Sequence, residues 1–347
     1  MGIVNLVRTF GLFRPRSPAA GDSVTGLNWS TLRQYDRAAS EFTTSPPVIL
    51  PRDSFTRLSA LDVSNLPAPA TLTASDGCKL AYRHYIGRGD AGAIVVLIHG
   101  SAGYGDQLHA LASAIAASGE AQVYTLDMRG HGMSGGKAGH AVFHVEQPCE
   151  DIAEFIGFLD GVSPDARIIL GGHSAGGGLV LRFCRSPAGR RISACLFLAP
   201  YLGIGSPTIR PLFGGWVRVR ASRLRAVSLA SVLGITRFNN TTVVAFDLTA
   251  CSNRQSYTPT WSFNTLLAMG PGCWAPHAKG IDGKKAILVV AGDRDECFFA
   301  DAYPEAFQAI APQAEVRTIR NIGHWDVLVD PNAIAITIEW LSRIALR

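Results

Sequence analysis

Three short motifs in this chain have the residue types and the order needed for nucleophilic catalysis. Ser174 stands at the centre of GHSAG, Asp293 and Asp295 lie in GDRDE, and His324 lies in IGHWD. A serine hydroxyl becomes a nucleophile when a histidine removes its proton and an acid fixes the tautomer of that histidine. The order Ser, Asp, His along the chain is one in which such triads occur. The motifs therefore predict acyl transfer through a covalent intermediate.

The pattern G-x-S-x-G occurs twice, and its surroundings decide between the two serines. Ser174 directly follows the apolar run RIILGG and precedes GGGLVLRFC, whereas Ser134, in GMSGG, lies beyond its strand and precedes KAGH. A nucleophilic serine sits at a sharp strand-to-helix turn, where small neighbours permit the strained backbone and the helix N-terminus offers N–H groups. The context predicts Ser174 as the nucleophile and Ser134 as a loop residue.

The acid and the oxyanion hole are less sharply determined by spacing. Asp293 and Asp295 both come directly after the apolar run AILVVAG, so both remain open as the acid. Ser101 lies in HGSAG, whose glycine-rich turn could aim its N–H at the same point as the N–H of Ala175. The same turn is equally compatible with an ordinary loop.

The order of the apolar runs indicates the fold that must position these residues. From about residue 71, apolar β-branched runs alternate with stretches of helical character, which predicts an α/β fold with a mostly parallel sheet and helices on both faces. The pair Asp76-Gly77 predicts a hairpin that adds an antiparallel edge. The candidate catalytic motifs then fall at the carboxyl ends of strands, where α/β enzymes place functional groups.

Two regions fall outside this alternation. Residues 1–70 lack clear periodicity and contain SPPVILP and NLPAPA, so we interpret them as an N-terminal extension over the body. Residues 201–276 are too long for a simple connection between two strands and are interpreted as an inserted cap. The α/β core then comprises residues 71–200 and 277–347.

Together, HGSAG, DMRGHGMS, GHSAG, GDRD and IGHWD resemble the α/β-hydrolase superfamily, in particular its monoacylglycerol lipase and lysophospholipase-like branch. The resemblance extends from about residue 71 to the end of the chain. It implies that the acid stands third after the glycine, G-x-x-D, which selects Asp295 over Asp293. It also implies that DMRGHGMS is an architectural turn, so that His131 and Ser134 are structural. The motifs are specific for fold and triad but poorly specific for substrate.

The predicted cap has an unusual charge. It holds seven arginines and a single acidic residue, Asp247, while the whole chain carries a net charge of +5, and it is also rich in aromatic and aliphatic residues. Such a cap suits an acyl substrate with an anionic head group, or peripheral contact with an anionic membrane surface. Packing on its own body, with solvated arginines, explains the composition equally well. Residues 2–13 offer a second candidate membrane contact, as a short amphipathic helix or alternatively as a frayed or docked arm.

Composition and missing motifs argue against several other classes of protein. Apolar residues make up 47% of the chain and charged residues 17%, which predicts a large core rather than disorder. Seven scattered cysteines without CxxC pairs indicate reduced thiols, so we expect a cytoplasmic protein, with membrane association left open. His140 and His144 have helical metal-ligand spacing without an evident third ligand. No phosphate-binding loop or nucleic-acid motif is present, so we expect no metal, organic cofactor or nucleic acid.

The resulting functional hypothesis is a serine hydrolase that cleaves a carboxylic ester, such as a monoacylglycerol or lysophospholipid. Ser174 attacks, His324 acts as base and then acid, Asp295 orients it, and the N–H groups of Ser101 and Ala175 hold the oxyanion. A peptidase of the proline-iminopeptidase type needs carboxylates for the substrate amine. The cap supplies a single one, so such a peptidase would depend on acids from the body. Thioesterase, carbon–carbon bond hydrolase and cofactor-free haloperoxidase activities stay open, as does a catalytically silent binding protein.

Overall fold

A computed structural model of the chain describes Arg33 and residues 53–87, 92–251, 254–272 and 280–345. Within these ranges, every helix is too short or too polar to span a lipid bilayer. The predicted amphipathic segment at residues 2–13 lies outside the described residues. All six cysteines in the described part of the chain lie outside disulfide bonds.

Eleven strands in the described part of the chain form two sheets. In chain order they are β1 (Pro69–Thr73), β2 (Lys79–Tyr85), β3 (Ala93–Ile98), β4 (Gln122–Leu126), β5 (Arg167–His173), β6 (Ile192–Leu198), β7 (Val217–Val219), β8 (Thr242–Phe246), β9 (Thr260–Ser262), β10 (Ala286–Gly292) and β11 (Glu315–Ile319). The large sheet has the order β1-β2-β4-β3-β5-β6-β10-β11. Strand β2 pairs antiparallel with β1 and β4, and the other pairs are parallel. The predicted α/β-hydrolase fold, with its antiparallel hairpin edge, is confirmed.

Eight α-helices lie in the described ranges. They are α1 (Asp53–Ser59), α2 (His109–Ser118), α3 (Gln147–Val162), α4 (Ala175–Arg185), α5 (Ala221–Val232), α6 (Phe263–Ala268), α7 (Tyr303–Ile310) and α8 (Pro331–Ala345). Every residue of the central strand β3 is buried, which explains why its sequence is a continuous apolar run rather than an alternating one. The candidate motifs lie in the segments that follow β3, β5, β10 and β11, at the carboxyl ends of those strands.

The long segment between β6 and β10 is more regular than its sequence suggests. It contains α5, α6 and a small antiparallel sheet with the order β7-β8-β9. An isolated antiparallel bridge joins Ile209, near the start of this segment, to Phe298, which follows β10. The boundaries of extension, core and cap stay a prediction, but this bridge shows that residues of the predicted cap reach the loop that carries the candidate acid.

The helix α1 forms within the N-terminal region that shows no clear periodicity in the sequence. It has seven residues, or about two turns, which is too short for a repeating apolar pattern to stand out. Ser54, Phe55 and Leu58 are nevertheless buried. The helix therefore packs closely on the described body of the protein.

Candidate active site

Ser174 occupies the sharp turn between β5 and α4. Its backbone has φ 52° and ψ −118°, a conformation that is costly for a residue with a side chain. The backbone N–H of Ser174 donates to the carbonyl of Leu198 on the neighbouring strand, which holds the turn in place. A Cβ on Gly172 would overlap the backbone of Gly176, and one on Gly176 would overlap the carbonyl of His99. The two glycines of GHSAG are therefore required by close backbone approach.

Asp295 and His324 form a buried pair at the ends of neighbouring loops. Asp295 Oδ2 lies 2.8 Å from His324 Nδ1, and both residues are 1% exposed. Asp295 Oδ1 accepts the backbone N–H groups of Cys297 and Phe298, each at 2.7 Å. Because a carboxylate only accepts, Nδ1 carries the imidazole proton, and Nε2 is left with a lone pair. His324 is thus held in the tautomer that a general base requires.

The competing aspartate lies elsewhere. Asp293 is exposed, and its Oδ1 accepts the backbone N–H of Asn321 at 2.6 Å. This bond ties the loop after β10 to the loop after β11 but does not reach the imidazole of His324. Of the two aspartates left open by spacing, the structure brings Asp295 to the histidine.

His173, the second residue of GHSAG, connects the serine turn to the histidine loop. Its Nε2 lies 3.1 Å from the carbonyl of His324, and the two ring centroids are 4.6 Å apart. Burial, reinforced by the neighbouring His324, lowers the pKa of His173 well below 6.5. The neutral ring therefore donates its Nε2 proton to the carbonyl. Sequence reasoning missed this contact, although the histidine stands beside Ser174.

The HGSAG turn lies against the serine. A Cβ on Gly100 would stand 3.1 Å from Ser174 Cβ, and Ala102 has φ 59°. Ser101, next to Gly100, accepts a hydrogen bond at its Oγ from Trp216 Nε1 at 3.1 Å. Ala175 is the first residue of α4. Ser101 and Ala175 therefore directly follow Gly100 and Ser174, two residues that lie close to each other.

The DMRGHGMS segment has structural contacts. Ser134 Oγ donates to the carbonyl of Asp127 and accepts the N–H of Ala81, linking the turn after β4 to β2. Burial raises the pKa of Asp127 to about 6. Burial also lowers the pKa of His131 to about 4, and the neutral ring accepts a hydrogen bond from Trp261 Nε1. These contacts agree with the structural roles that the resemblance implies.

Among the residues that the structure describes, one group places three possible metal-ligand atoms within 4.8 Å of one another, namely Asp295, Cys297 and His324. Both carboxylate oxygens of Asp295 already accept hydrogen bonds, one of them from His324, so the arrangement is that of an oriented base. His140 and His144 have separate partners. The first bonds to Asn240 and Thr242, and the second lies 3.4 Å from a carboxylate oxygen of Glu150.

Several residues around His324 were not found from the sequence. Glu296 accepts the backbone N–H of His324 with one carboxylate oxygen and the hydroxyl of Ser54 with the other, the latter at 2.6 Å. Arg210 donates from Nε to the carbonyl of Asp295 at 2.8 Å. The repeated acids of GDRDE were the available signal for Glu296. Nothing in the sequence pairs Ser54 or Arg210 with this loop.

Comparison with known proteins identifies the family of the chain. The sequence model of the family described as serine aminopeptidase, S33, matches residues 89–332. Over 121 residues the chain is 33% identical to the monoacylglycerol lipase of Mycolicibacterium smegmatis. That alignment covers 35% of this chain and 42% of the relative, so the chain spans less than half of that protein's length.

Solved structures of lipases and esterases share the fold. A soluble variant of the monoglyceride lipase from Saccharomyces cerevisiae, in complex with a substrate analog, gives a TM-score of 0.64 at 16% identity and covers 82% of this chain and 98% of its own. A thermophilic esterase from Thermogutta terrifontis gives 0.56 at 19%, covering 80% and 99%. The monoacylglycerol lipase of Paleococcus ferrophilus gives 0.52 at 20%, covering 76% and 98%. At these identities the likeness shows the fold alone. Since the family model spans most of the chain, the protein belongs to the serine aminopeptidase S33 family of α/β hydrolases.

Proposed function

We propose that the protein is a serine hydrolase that cleaves a carboxylic ester through an acyl-enzyme, with Ser174 as the nucleophile. The observation that carries this proposal is the hydrogen bond between Asp295 Oδ2 and His324 Nδ1, because it leaves Nε2 of His324 as a base. His173 connects the loop of His324 to the turn of Ser174. A serine in a strained turn beside such a histidine fits nucleophilic catalysis better than a binding role.

The residues give a two-stage mechanism. His324 Nε2 takes the proton of Ser174 Oγ as the oxygen attacks the ester carbonyl, and the imidazolium is stabilised by Asp295. The N–H groups of Ser101 and Ala175 hold the oxyanion, and removal of one such donor typically costs about 10²–10³ in turnover. The imidazolium then protonates the departing alcohol. In the second stage His324 activates a water that hydrolyses the acyl-enzyme and releases the acid.

The charge of the predicted cap favours an acyl ester over a peptide with a free amine. Its single acidic residue, Asp247, lies 3.3 Å from Arg218 and accepts hydrogen bonds from Thr249. A carboxylate that is already engaged by a guanidinium is poorly placed to hold a substrate ammonium group. We therefore place the substrate among lipid-like acyl esters, such as a monoacylglycerol or a lysophospholipid, rather than among aminopeptidase substrates.

One exposed surface of the predicted cap suits a lipid interface. Leu233, Ile235 and Phe238 are all exposed, and they lie in residues 233–238, which we call the cap tip. The guanidinium of Arg237 stacks on the ring of Phe238 at 4.7 Å, so a cation accompanies the apolar side chains. Apolar side chains beside a cation are typical of segments that bind anionic membrane surfaces. We propose that the cap tip makes this peripheral contact, which a vesicle-binding assay tests.

The nucleophile is tested with a fluorophosphonate probe, mass mapping and turnover of p-nitrophenyl butyrate. We expect labelling at Ser174, and loss of both labelling and turnover in Ser174→Ala. Ser134→Ala is the matched control, since it removes the other G-x-S-x-G serine and should keep both. Labelling elsewhere in the chain would overturn the assignment. A folded wild-type protein that neither reacts nor turns over esters would indicate the silent binding protein instead.

The same variants separate the alternative reactions. Thioesters and 1,3-diketones are assayed beside the esters on the wild-type protein and on Ser174→Ala. A thioester or a diketone cleaved much faster than every ester would replace esterase by thioesterase or carbon–carbon bond hydrolase activity while leaving Ser174 as the nucleophile. Halogenation of a dye substrate by the wild-type protein would indicate the haloperoxidase.

A further inference from the structure

The helix α1 brings one side chain of the N-terminal region into a cluster of aromatic rings. The Phe55 ring is fully buried, and its centroid lies 4.9 Å from those of Trp216 and Trp325. The ring of Tyr257 is 5.6 Å away and meets it edge-on. Phe55 therefore touches rings from three other parts of the chain and stands at the centre of this cluster.

The aromatic cluster spans the two sides of the candidate active site. Trp325 directly follows His324, and their ring centroids are 4.8 Å apart. Trp216 donates its indole N–H to Ser101, in the turn proposed to hold the oxyanion. The ring of Phe55 thus lies against partners of both the catalytic histidine and the oxyanion turn. Ser174, in the turn between β5 and α4, is 7% exposed.

Polar contacts fix α1 on the histidine loop. Ser54 bonds to Glu296, and Arg57 binds Asp326 through two parallel hydrogen bonds, of 2.8 and 2.5 Å. A Cβ on Gly323 would stand 2.8 Å from Ser54 Cβ and closer still to the Glu296 carboxylate, so the helix approaches the loop as nearly as a glycine allows. Phe55 lies between these two anchors and is held in one position relative to the loop.

We propose that Phe55 is a specificity-determining residue, whose ring forms the end wall of the acyl-binding site and limits the length of the acyl chain. This rests on the proposed ester hydrolysis. In this proposal the carbonyl carbon lies at Ser174 and its oxygen at the N–H groups of Ser101 and Ala175, and the acyl chain runs towards the aromatic cluster, which contacts both the oxyanion turn and the histidine loop. The aromatic cluster there is apolar, as an acyl chain requires, but Phe55 fills its centre.

The expected effect of removing the ring follows from the burial of methylene groups. Each methylene transferred from water to an apolar site contributes a factor of about four in binding. A shorter side chain at position 55 opens space for a longer acyl chain without changing the alcohol group. The ratio of kcat/KM for p-nitrophenyl octanoate to that for the butyrate should rise by about tenfold or more in Phe55→Ala.

Phe155→Ala is the matched control. Phe155, on α3, is also a fully buried phenylalanine, and its ring packs against Tyr82 on β2 and Tyr124 on β4. Its loss tests general destabilisation, and the ratio should stay within about twofold of the wild-type value. Phe55→Leu, which keeps an apolar side chain, should raise the ratio less. If Phe55→Ala fails to fold, an unchanged ratio in folded Phe55→Leu overturns the role of Phe55.

The ratio and the absolute rate separate the two proposals. Ester turnover by the wild-type protein with an unchanged octanoate-to-butyrate ratio in a folded Phe55 variant overturns the role of Phe55 alone. An equal rise in Phe155→Ala also overturns it. Absence of turnover of every ester by folded wild-type protein overturns the proposed function itself.

Discussion

Replacing Asp295 by asparagine tests the tautomer on which the proposed mechanism depends. The backbone N–H groups of Cys297 and Phe298 both donate to one side of the carboxylate, each at 2.7 Å. In Asp295→Asn the amide oxygen must take that side, because an NH₂ group would face two donors. The NH₂ group then points at His324 Nδ1, which has to accept. The imidazole proton moves to Nε2, and the base is lost.

The size of the effect follows from this inversion. In serine triads, the wrong histidine tautomer with intact geometry lowers kcat by about 10⁴, which corresponds to about 5.4 kcal/mol of transition-state stabilisation. The variant keeps both backbone hydrogen bonds to the side-chain oxygen, so its fold should survive. We therefore expect a large loss of kcat for p-nitrophenyl butyrate with a small change in melting temperature.

Asp293→Asn provides the matched control in the same loop. Asp293 is exposed and bonds to Asn321 rather than to the imidazole, so its replacement should change kcat by less than about threefold. Turnover is measured with circular dichroism melting on both variants. If Asp295→Asn retained more than about a tenth of wild-type kcat, or Asp293→Asn lost as much, the argument from the tautomer would be refuted.

Two further predictions concern pH and membranes. Burial lowers the pKa of His99 to about 3, that of His131 to about 4 and that of His173 well below 6.5, so the unfolded chain binds these protons first as the pH falls. The free energy of unfolding should therefore decrease from pH 6.5 towards 4, by at most about 4 kcal/mol per pH unit for the three histidines together. Asp127, whose pKa is raised, acts in the opposite direction and reduces this slope by about 1.4 kcal/mol per pH unit. An unchanged urea midpoint between pH 7 and 5 would contradict this. At the cap tip, Phe238→Ser should weaken co-sedimentation with phosphatidylglycerol vesicles several-fold, and equal binding of both proteins to these anionic vesicles would count against the contact.

The sequence predicts the sheet and the positions of the candidate catalytic motifs because both depend on local patterns. Buried parallel strands require continuous apolar β-branched runs, and these stand out between turns rich in glycine. The serine turn needs glycines on both sides because its backbone atoms touch, so Ser174 carries its own signature. Ser134 has the same signature, and its distance from the preceding strand together with the missing helix after it revealed the difference.

The choice of the acid depends on how two loops meet. Asp293 and Asp295 are two residues apart after the same strand, and either could face a histidine from the next loop. The pairing of β10 with β11 places the two loops side by side, and backbone N–H groups at Cys297 and Phe298 turn Asp295 inward. Without the resemblance to a known family, the sequence left this choice open.

Only the tertiary structure reveals the part that α1 takes in the site. A helix of two turns is too short to show periodicity, and Phe55 meets Trp325 across 270 positions of the chain. Such a contact depends on how the N-terminal region packs, which no local pattern of residues encodes. The sequence thus determined the local chemistry of the site, because strands, turns and motifs are set by near neighbours. Which distant side chains pack against the candidate site was decided by the folding of distant segments against one another.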